Sequence, residues 1–290
     1  MRQLLNKWAA VTLAAMALAT PRAASAALVI DDNFSGDTVG GTPANYSTGG
    51  VAGGITLGVV DDASNLSTGG GNALSGAVTN STAYAQRSFA TQTLAVGESI
   101  TVSFDLRISS PASPTSGDRI FRFGLYNSTA GSLGFTGRLD TGADTGNTYD
   151  IFRSVSIFNT ATASGSASLV SGTATDPRLD DNIVRHVTMT IARDATGAHG
   201  TLAVQKDANA PVSIGPSTNN AAVPNDSYFT LDQFVIGFNG TAGAPGIGGA
   251  PAETFHLDNV TVTFTPVPEP GSVCAALGAA GLLWRRRRRL

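Results

Sequence analysis

The chain of 290 residues is poor in cysteine, tryptophan and charge. Its single cysteine, Cys274, excludes a scaffold of internal disulfides, because each disulfide needs two cysteines. Charged residues make up 13% of the chain, about half the usual share in globular proteins. Trp8 and Trp284 both lie near the ends, so the region between them offers no tryptophan ring to a ligand.

Basic residues are especially scarce in the middle of the chain. Residues 27–267 contain ten Lys or Arg side chains against twenty Asp or Glu side chains, a formal charge of about −10. Electrostatic attraction to nucleic acid or to an anionic membrane surface needs the opposite sign. The composition therefore predicts that nucleic acid is not a partner.

The first 26 residues have the pattern of a secretory signal peptide, in which a basic start precedes an apolar helix. Residues 9–19 are apolar, and Ala24 and Ala26 supply the small side chains of a cleavage site. We predict that residues 1–26 form a helix in the precursor and are removed. Ala27 then becomes the first residue of the mature protein.

The last 24 residues, 267–290, carry three features in sequence. The first feature is a short motif, Val267, Pro268, Glu269 and Pro270. The second is the uncharged segment 271–284. The third is the terminal segment 285–290, which contains Arg285, Arg286, Arg287, Arg288 and Arg289. An arginine run resists transfer across a membrane and keeps that end in the cytoplasm. Residues 271–284 would span about 21 Å as a helix, short of an apolar layer of about 30 Å. We predict a short transmembrane helix there.

This order of features resembles the PEP-CTERM sorting signal. Pro268, Glu269 and Pro270 match its motif directly, and their spacing to the arginines agrees. The resemblance implies a Gram-negative envelope protein that is exported and anchored briefly in the inner membrane. An exosortase, the implied partner, then cuts near the motif. The implied destination is the outer cell surface or the extracellular matrix.

Residues 27–266 form one expected domain, in which apolar side chains alternate with polar ones. This alternation predicts half-buried β-strands over residues 100–108, 121–125, 149–158, 187–191, 202–204, 229–238 and 255–264. Turn residues separate these windows, and no long stretch of this domain shows a helical period. We predict an all-β fold whose core contains Val102, Phe104, Leu106, Phe121, Phe123, Val187, Met189, Ile191, Ile236 and Val262.

The strand spacing and the segment IFRFGLYN at residues 120–127 resemble the concanavalin A-like lectin/glucanase jelly roll. The resemblance covers residues 29–264. It implies a two-sheet antiparallel sandwich of about a dozen strands. The galactose-binding type of jelly roll is the alternative fold.

The sequence offers little for catalysis. Glycoside hydrolysis usually needs two carboxyl groups about 5–10 Å apart. The only glutamates of the expected domain, Glu98 and Glu253, follow turn residues, and Asp105 and Asp150 are expected to be isolated and solvent-facing. The three histidines, His186, His199 and His256, lack the spacing of a metal site. We therefore predict that the protein is not an enzyme.

Three hypotheses for function follow. The favoured one is a non-catalytic protein of the cell surface or extracellular matrix, associated with exopolysaccharide. The first alternative is a lectin-like carbohydrate-binding module. For that role Tyr46 and Tyr126 are the better candidates for stacking on a sugar, although packing in the core would also explain them. The second alternative is an unusual glycanase.

One irregularity in the last strand suggests an ion. The apolar residues Phe255 and Leu257 have odd numbers, whereas Val260 and the later apolar residues of the strand have even numbers. An extra residue in the strand would cause this change, so we predict a β-bulge at Asp258. The first strand ends near Asp32, and first and last strands of jelly rolls often lie side by side. We predict a structural calcium ion near Asp32 and Asp258, and no other cofactor.

Overall fold

The computed structural model describes residues 25–61, 66, 71–79, 82–109, 119–131, 133–140, 148–154, 167–173, 182–216, 225–240 and 253–267. Within this part of the chain, no helix is long and apolar enough to cross a membrane. Most of the predicted signal helix and all of the predicted transmembrane helix lie outside the described residues. The chain divides into two compact units, one being Ala27–Phe264 and the other Met1–Ala26 with Thr265–Leu290.

The described residues form fifteen strands and one 3-10 turn, Asp226–Phe229. The strands are β1 (Ala27–Asp32), β2 (Ser47–Gly49), β3 (Ile55–Asp61), β4 (Asn72–Val78), β5 (Tyr84–Thr93), β6 (Ser99–Ser109), β7 (Arg119–Asn127), β8 (Leu133–Asp140), β9 (Thr148–Ser154), β10 (Ala167–Thr173), β11 (Arg185–Arg193), β12 (Ala198–Lys206), β13 (Val212–Ile214), β14 (Thr230–Gly240) and β15 (Glu253–Thr265).

These strands form two antiparallel sheets. The first sheet has the order β13-β12-β11-β6-β15-β4-β3, and β1 also pairs with β15. The second sheet has the order β10-β9-β8-β7-β14-β5-β2. The prediction of an all-β two-sheet sandwich is confirmed.

Apolar side chains from both sheets meet in one core. All ten residues predicted for it are buried: Val102, Phe104, Leu106, Phe121, Phe123, Val187, Met189, Ile191, Ile236 and Val262. Phe104 of the first sheet lies edge-on to Phe123 of the second, with ring centroids 5.0 Å apart. Phe121 and Phe234 also approach Phe104, at 6.3 and 6.1 Å. An aromatic cluster therefore joins the two sheets at the centre.

The predicted bulge in β15 is present. Leu257 and Asp258 are both buried, and Asn259 has a positive φ of 51°. β15 pairs with β4 up to Leu257 and with β1 from Val260 onward. The last strand therefore exchanges one neighbour for another at the bulge.

Truncation of Phe104 tests the aromatic cluster. Phe104→Ala removes a fully buried ring and leaves a cavity between the sheets, so we expect it to lower the free energy of unfolding by about 3–5 kcal/mol. The control is Leu28→Ala, because Leu28 is 54% exposed. Denaturant titrations of the sandwich measure both changes, and equal effects would place Phe104 outside the core.

Candidate functional site

The structure describes only part of the predicted processing signals. Ala26 and Ala27 are exposed, and Ala27 begins β1 opposite Phe264. Cleavage after Ala26 would therefore leave β1 complete. Val267 is also exposed, whereas Ala24, Pro268–Pro270 and the arginines at 285–289 lie outside the described residues. The predictions for these positions stay predictions.

The carboxylate of Asp32, which was predicted to bind calcium, already interacts with two other groups of the protein. Its Oδ1 accepts a hydrogen bond from the Phe34 amide at 3.2 Å, and its Oδ2 pairs with the Arg87 guanidinium. Burial raises the pKa of Asp32, although the charge of Arg87 opposes this. A calcium ion at this carboxylate would compete with Arg87.

Asp258, the second residue predicted to bind calcium, lies near Asp32 because Val260 pairs with Asp32 across β1 and β15. Asp258 is buried, and its Oδ1 accepts the Asn259 amide at 2.7 Å. Among the described residues, no group of three or more His, Cys, Asp or Glu side chains could hold a metal ion. Calcium at Asp32 and Asp258 stays a prediction.

The outer face of the second sheet, which points away from the core, carries buried polar side chains on β7, β8 and β9. The register places Asp150, Arg138 and Arg122 side by side in one row. Arg138 binds Asp150 at 2.8 Å, and Arg122 is 2% exposed with its guanidinium over the Phe152 ring. The expectation that Asp150 is isolated and solvent-facing is therefore wrong.

Tyr126 lies flat on the same outer face. A Cβ at Gly134 would come within 2.9 Å of the Tyr126 ring, so glycine leaves the space that the ring fills. The Tyr126 hydroxyl shares a hydrogen bond with Thr136, and burial raises the pKa of Tyr126 to about 12. Tyr46 is buried as well. Both tyrosines are thus packing residues and offer no open ring to a sugar.

A more accessible group lies at the β2–β5–β14 side of this face. We call Ser47, Tyr84, Gln86 and Gln233 the tyrosine–glutamine patch. Gln233 Nε2 donates to Gln86 Oε1 at 2.9 Å, and Gln86 Nε2 donates to Ser47 Oγ at 3.2 Å. Tyr84 is half-buried against Tyr126, so one aromatic ring stands beside a chain of amides.

Tyr84 is positioned by its neighbours across the sheet. Gly49 of β2 pairs with Tyr84, and a Cβ there would come within 2.3 Å of the ring. Any side chain at position 49 would therefore displace Tyr84. Sequence analysis missed this patch, because its members come from three strands that are far apart in the sequence.

The outer face of the first sheet carries a second polar group, which we call the histidine array: Ser103, Asp105, His186 and Asn259. His186 Nδ1 lies 2.9 Å from Asp105 Oδ1, and His186 Nε2 lies 3.1 Å from Ser103 Oγ. Asn259 Nδ2 donates to Asp105 Oδ2 at 2.8 Å. The expectation that Asp105 is isolated is therefore wrong.

The sequence contains half of the signal for this array. Alternation along β6 places Ser103 and Asp105 on the same outward face. Their partner His186 follows Asp105 by 81 residues and meets it only through the register of β6 against β11. That register depends on the packing of the whole sheet, so no local pattern reveals it.

Comparison with known proteins identifies the fold. No family model and no curated protein sequence matches the chain. An alginate lyase from Aplysia kurodai superposes with a TM-score of 0.50 at 12% identity, over 83% of this chain and 100% of that chain. This likeness shows a concanavalin A-like jelly roll.

Two further solved structures are similar at lower scores. An endo-1,3-beta-glucanase from Streptomyces sioyaensis gives a TM-score of 0.48 at 14% identity, over 83% of this chain and 97% of that chain. A lectin from Bauhinia forficata in complex with GalNAc gives 0.42 at 14% identity, over 83% and 99%. Neither value bears on what this chain binds.

The stability of the sandwich should depend on pH through His186. The hydrogen bond to Asp105 raises the pKa of His186, and partial burial opposes this rise less strongly. The folded state therefore binds the proton more tightly than the unfolded state, whose histidine has a pKa of about 6.5. The resulting stabilisation is present below that pH and is lost as pH rises through the raised pKa.

We therefore expect His186→Gln to lower the melting temperature more at pH 5 than at pH 9. Gln205→Ala is the matched control, because Gln205 lies opposite His186 on β12 and does not titrate. Thermal melts of the three proteins at both pH values measure the difference. If the melting temperatures of the wild type and His186→Gln differ by the same amount at both pH values, the raised pKa of His186 is contradicted.

Proposed function

We propose that the protein is an exported surface or matrix protein of a Gram-negative envelope, whose sandwich binds exopolysaccharide without cleaving it. The tyrosine–glutamine patch is the observation that carries this proposal. A sugar presents C–H groups on one face and hydroxyl groups around its edge. Tyr84 offers a ring for the first, and the half-buried amide of Gln86 offers a donor and an acceptor for the second, while the buried Gln233 holds Gln86 in place.

The patch is organised before a ligand arrives. Gln233 and Gln86 hold each other at 2.9 Å, and Tyr84 rests on the backbone of Gly49. Side chains that are already ordered lose less conformational entropy on binding, which improves the affinity that a small contact area can provide. A lectin-like module with one defined glycan is the alternative use of the same patch.

Two carboxylates of the described residues, Glu98 and Asp150, are engaged in contacts within the fold. Glu98 lies in the turn before β6, where its Oε2 accepts the Ala95 amide at 2.6 Å. Asp150 is held by Arg138 at 2.8 Å. Glycoside hydrolysis would need a pair of carboxyl groups open to the glycosidic bond, and neither of these side chains is arranged in that way.

Processing at both ends would deliver the sandwich to the surface. β15 ends at Thr265, and Pro268 and Pro270 stand within five residues of this end. Proline has a fixed φ and no N–H donor, so this segment is disfavoured as a continuation of the ladder. An extended segment just outside the membrane is a suitable substrate for a membrane-embedded protease.

Glycan binding is tested by removing the ring. We expect Tyr84→Ala to weaken binding to the exopolysaccharide of the native host about tenfold, equivalent to about 1.4 kcal/mol. Gln205→Ala is the control, since Gln205 lies on the first sheet. Affinity electrophoresis with the isolated polysaccharide measures the affinity of the wild type and of both variants. Equal affinities for all three would exclude the tyrosine–glutamine patch as the binding site. A glycan array would distinguish a lectin, which selects one glycan, from a matrix protein that binds exopolysaccharide more generally.

Processing is tested by intact mass of the protein from its native host. We expect a first residue near Ala27 and a last residue near Pro268–Pro270, so the mature protein lacks Cys274 and the five arginines. A mature protein that still carries Arg285–Arg289 would refute cleavage. It would instead indicate a permanently anchored protein.

A further inference from the structure

The histidine array contains the atoms of a nucleophile–base–carboxylate relay. Ser103 Oγ lies 3.1 Å from His186 Nε2, and His186 Nδ1 lies 2.9 Å from Asp105 Oδ1. A serine hydroxyl is a weak nucleophile until an adjacent base takes its proton. The recognisable feature of such sites is the base within hydrogen-bond reach of the nucleophile, with a third group orienting the base. Both conditions are met here.

The hydrogen bonds fix the direction of proton transfer. Asp105 can only accept as a carboxylate, so His186 must carry a hydrogen on Nδ1. The neutral ring then presents the lone pair of Nε2 to the Ser103 hydroxyl. Asn259 binds the other oxygen of Asp105 at 2.8 Å and so orients the carboxylate. Asp105 therefore orients His186, and Asn259 orients Asp105.

The array lies on a rigid and open part of the molecule. Ser103 and Asp105 belong to β6, which has β11 on one side and β15 on the other. The His186 side chain is 50% exposed and the Asp105 side chain 16% exposed. Ser103 is half-buried on the same face, so a substrate can approach its hydroxyl from the side of the exposed imidazole while the carboxylate stays more shielded.

We propose that Ser103 is the nucleophile of an ester-directed acyl-transfer site, with His186 as the general base and Asp105 as the positioning residue. Ser103 contacts the hydroxyl of Thr188, and a second pair of threonine hydroxyls lies beside it, so no apolar acyl pocket is built there by the described residues. The substrate class is therefore small carboxylic esters. The proposal goes beyond glycan binding and does not depend on it, since the tyrosine–glutamine patch belongs to the other sheet.

The reaction balances with water as the only co-substrate. Ser103 Oγ attacks the carbonyl carbon while His186 Nε2 takes the hydroxyl proton. The bond from carbon to the alcohol oxygen breaks, and His186 gives its proton to the departing alcohol. Water then attacks the acyl–Ser103 ester, and His186 accepts its proton and returns it to Ser103 Oγ. The products are an alcohol and a carboxylic acid.

Stabilisation of the oxyanion is the weaker part of the site. Because β6 is a central strand, its backbone amides serve the ladders on both sides. Among the described residues, Thr188 supplies a side-chain hydroxyl close by, with its Oγ1 3.4 Å from Ser103 Oγ. Loss of one strong oxyanion donor typically costs about 100-fold to 1000-fold in rate. The site should therefore act slowly and favour activated esters.

The test is acylation of the purified full-length chain by p-nitrophenyl acetate. We expect one acetyl group on Ser103, located by peptide mass spectrometry, and release of p-nitrophenolate at a rate about 100-fold above that of Ser103→Ala. His186→Gln should slow acylation by a similar factor. His199→Gln is the matched control, because His199 also pairs with an aspartate, Asp194, and should leave the rate unchanged.

A pH profile separates a chemical role from a structural one. Acylation should increase as His186 loses its proton, and Asp105→Asn should shift the midpoint of this increase to lower pH. Melting curves of every variant establish that it is folded. Acetylation of Thr188 or of lysine in place of Ser103, or equal rates for wild type and Ser103→Ala, would overturn the proposal.

Discussion

Burial of the aromatic cluster between the two sheets is the constraint on which the rest of the structure depends. Phe104 can contact Phe123 at 5.0 Å only if it points inward. Successive side chains of a strand point to opposite faces, so Ser103 and Asp105 must then point outward. The polar arrangement of the outer face is thus a consequence of how the core is filled.

Two carboxylates of the described residues, the half-buried Asp32 and the buried Asp150, are each paired with an arginine. Asp32 of the first sheet binds Arg87 of the second, and Arg87 also lies over the Tyr46 ring. Removing one partner of such a pair would leave an uncompensated charge with little water around it. These pairs therefore fix the relative position of strands, and they explain why charge alone does not mark a functional site in this fold.

Alternation in the sequence was enough to predict the core and the bulge, because both depend on local parity. It was not enough to predict which side chains meet across strands. Asp105 and Asp150 looked isolated because their partners, His186 and Arg138, belong to other strands. Cross-strand contacts depend on register, and register is decided by the packing of the whole sheet. The tyrosine–glutamine patch escaped prediction for the same reason.

The bulge in β15 connects the pairing of β1 in the first sheet to the histidine array. Phe255 and Leu257 point inward, so regular alternation would also turn residue 259 toward the core. Asn259 instead adopts a φ of 51°, a left-handed conformation that asparagine tolerates better than most residues. This single irregularity allows β15 to leave β4 and pair with β1. It also turns Asn259 outward, where its amide orients Asp105. The bulge that lets β15 pair with β1 is therefore also the bulge that places Asn259 against the Asp105 carboxylate, which His186 contacts.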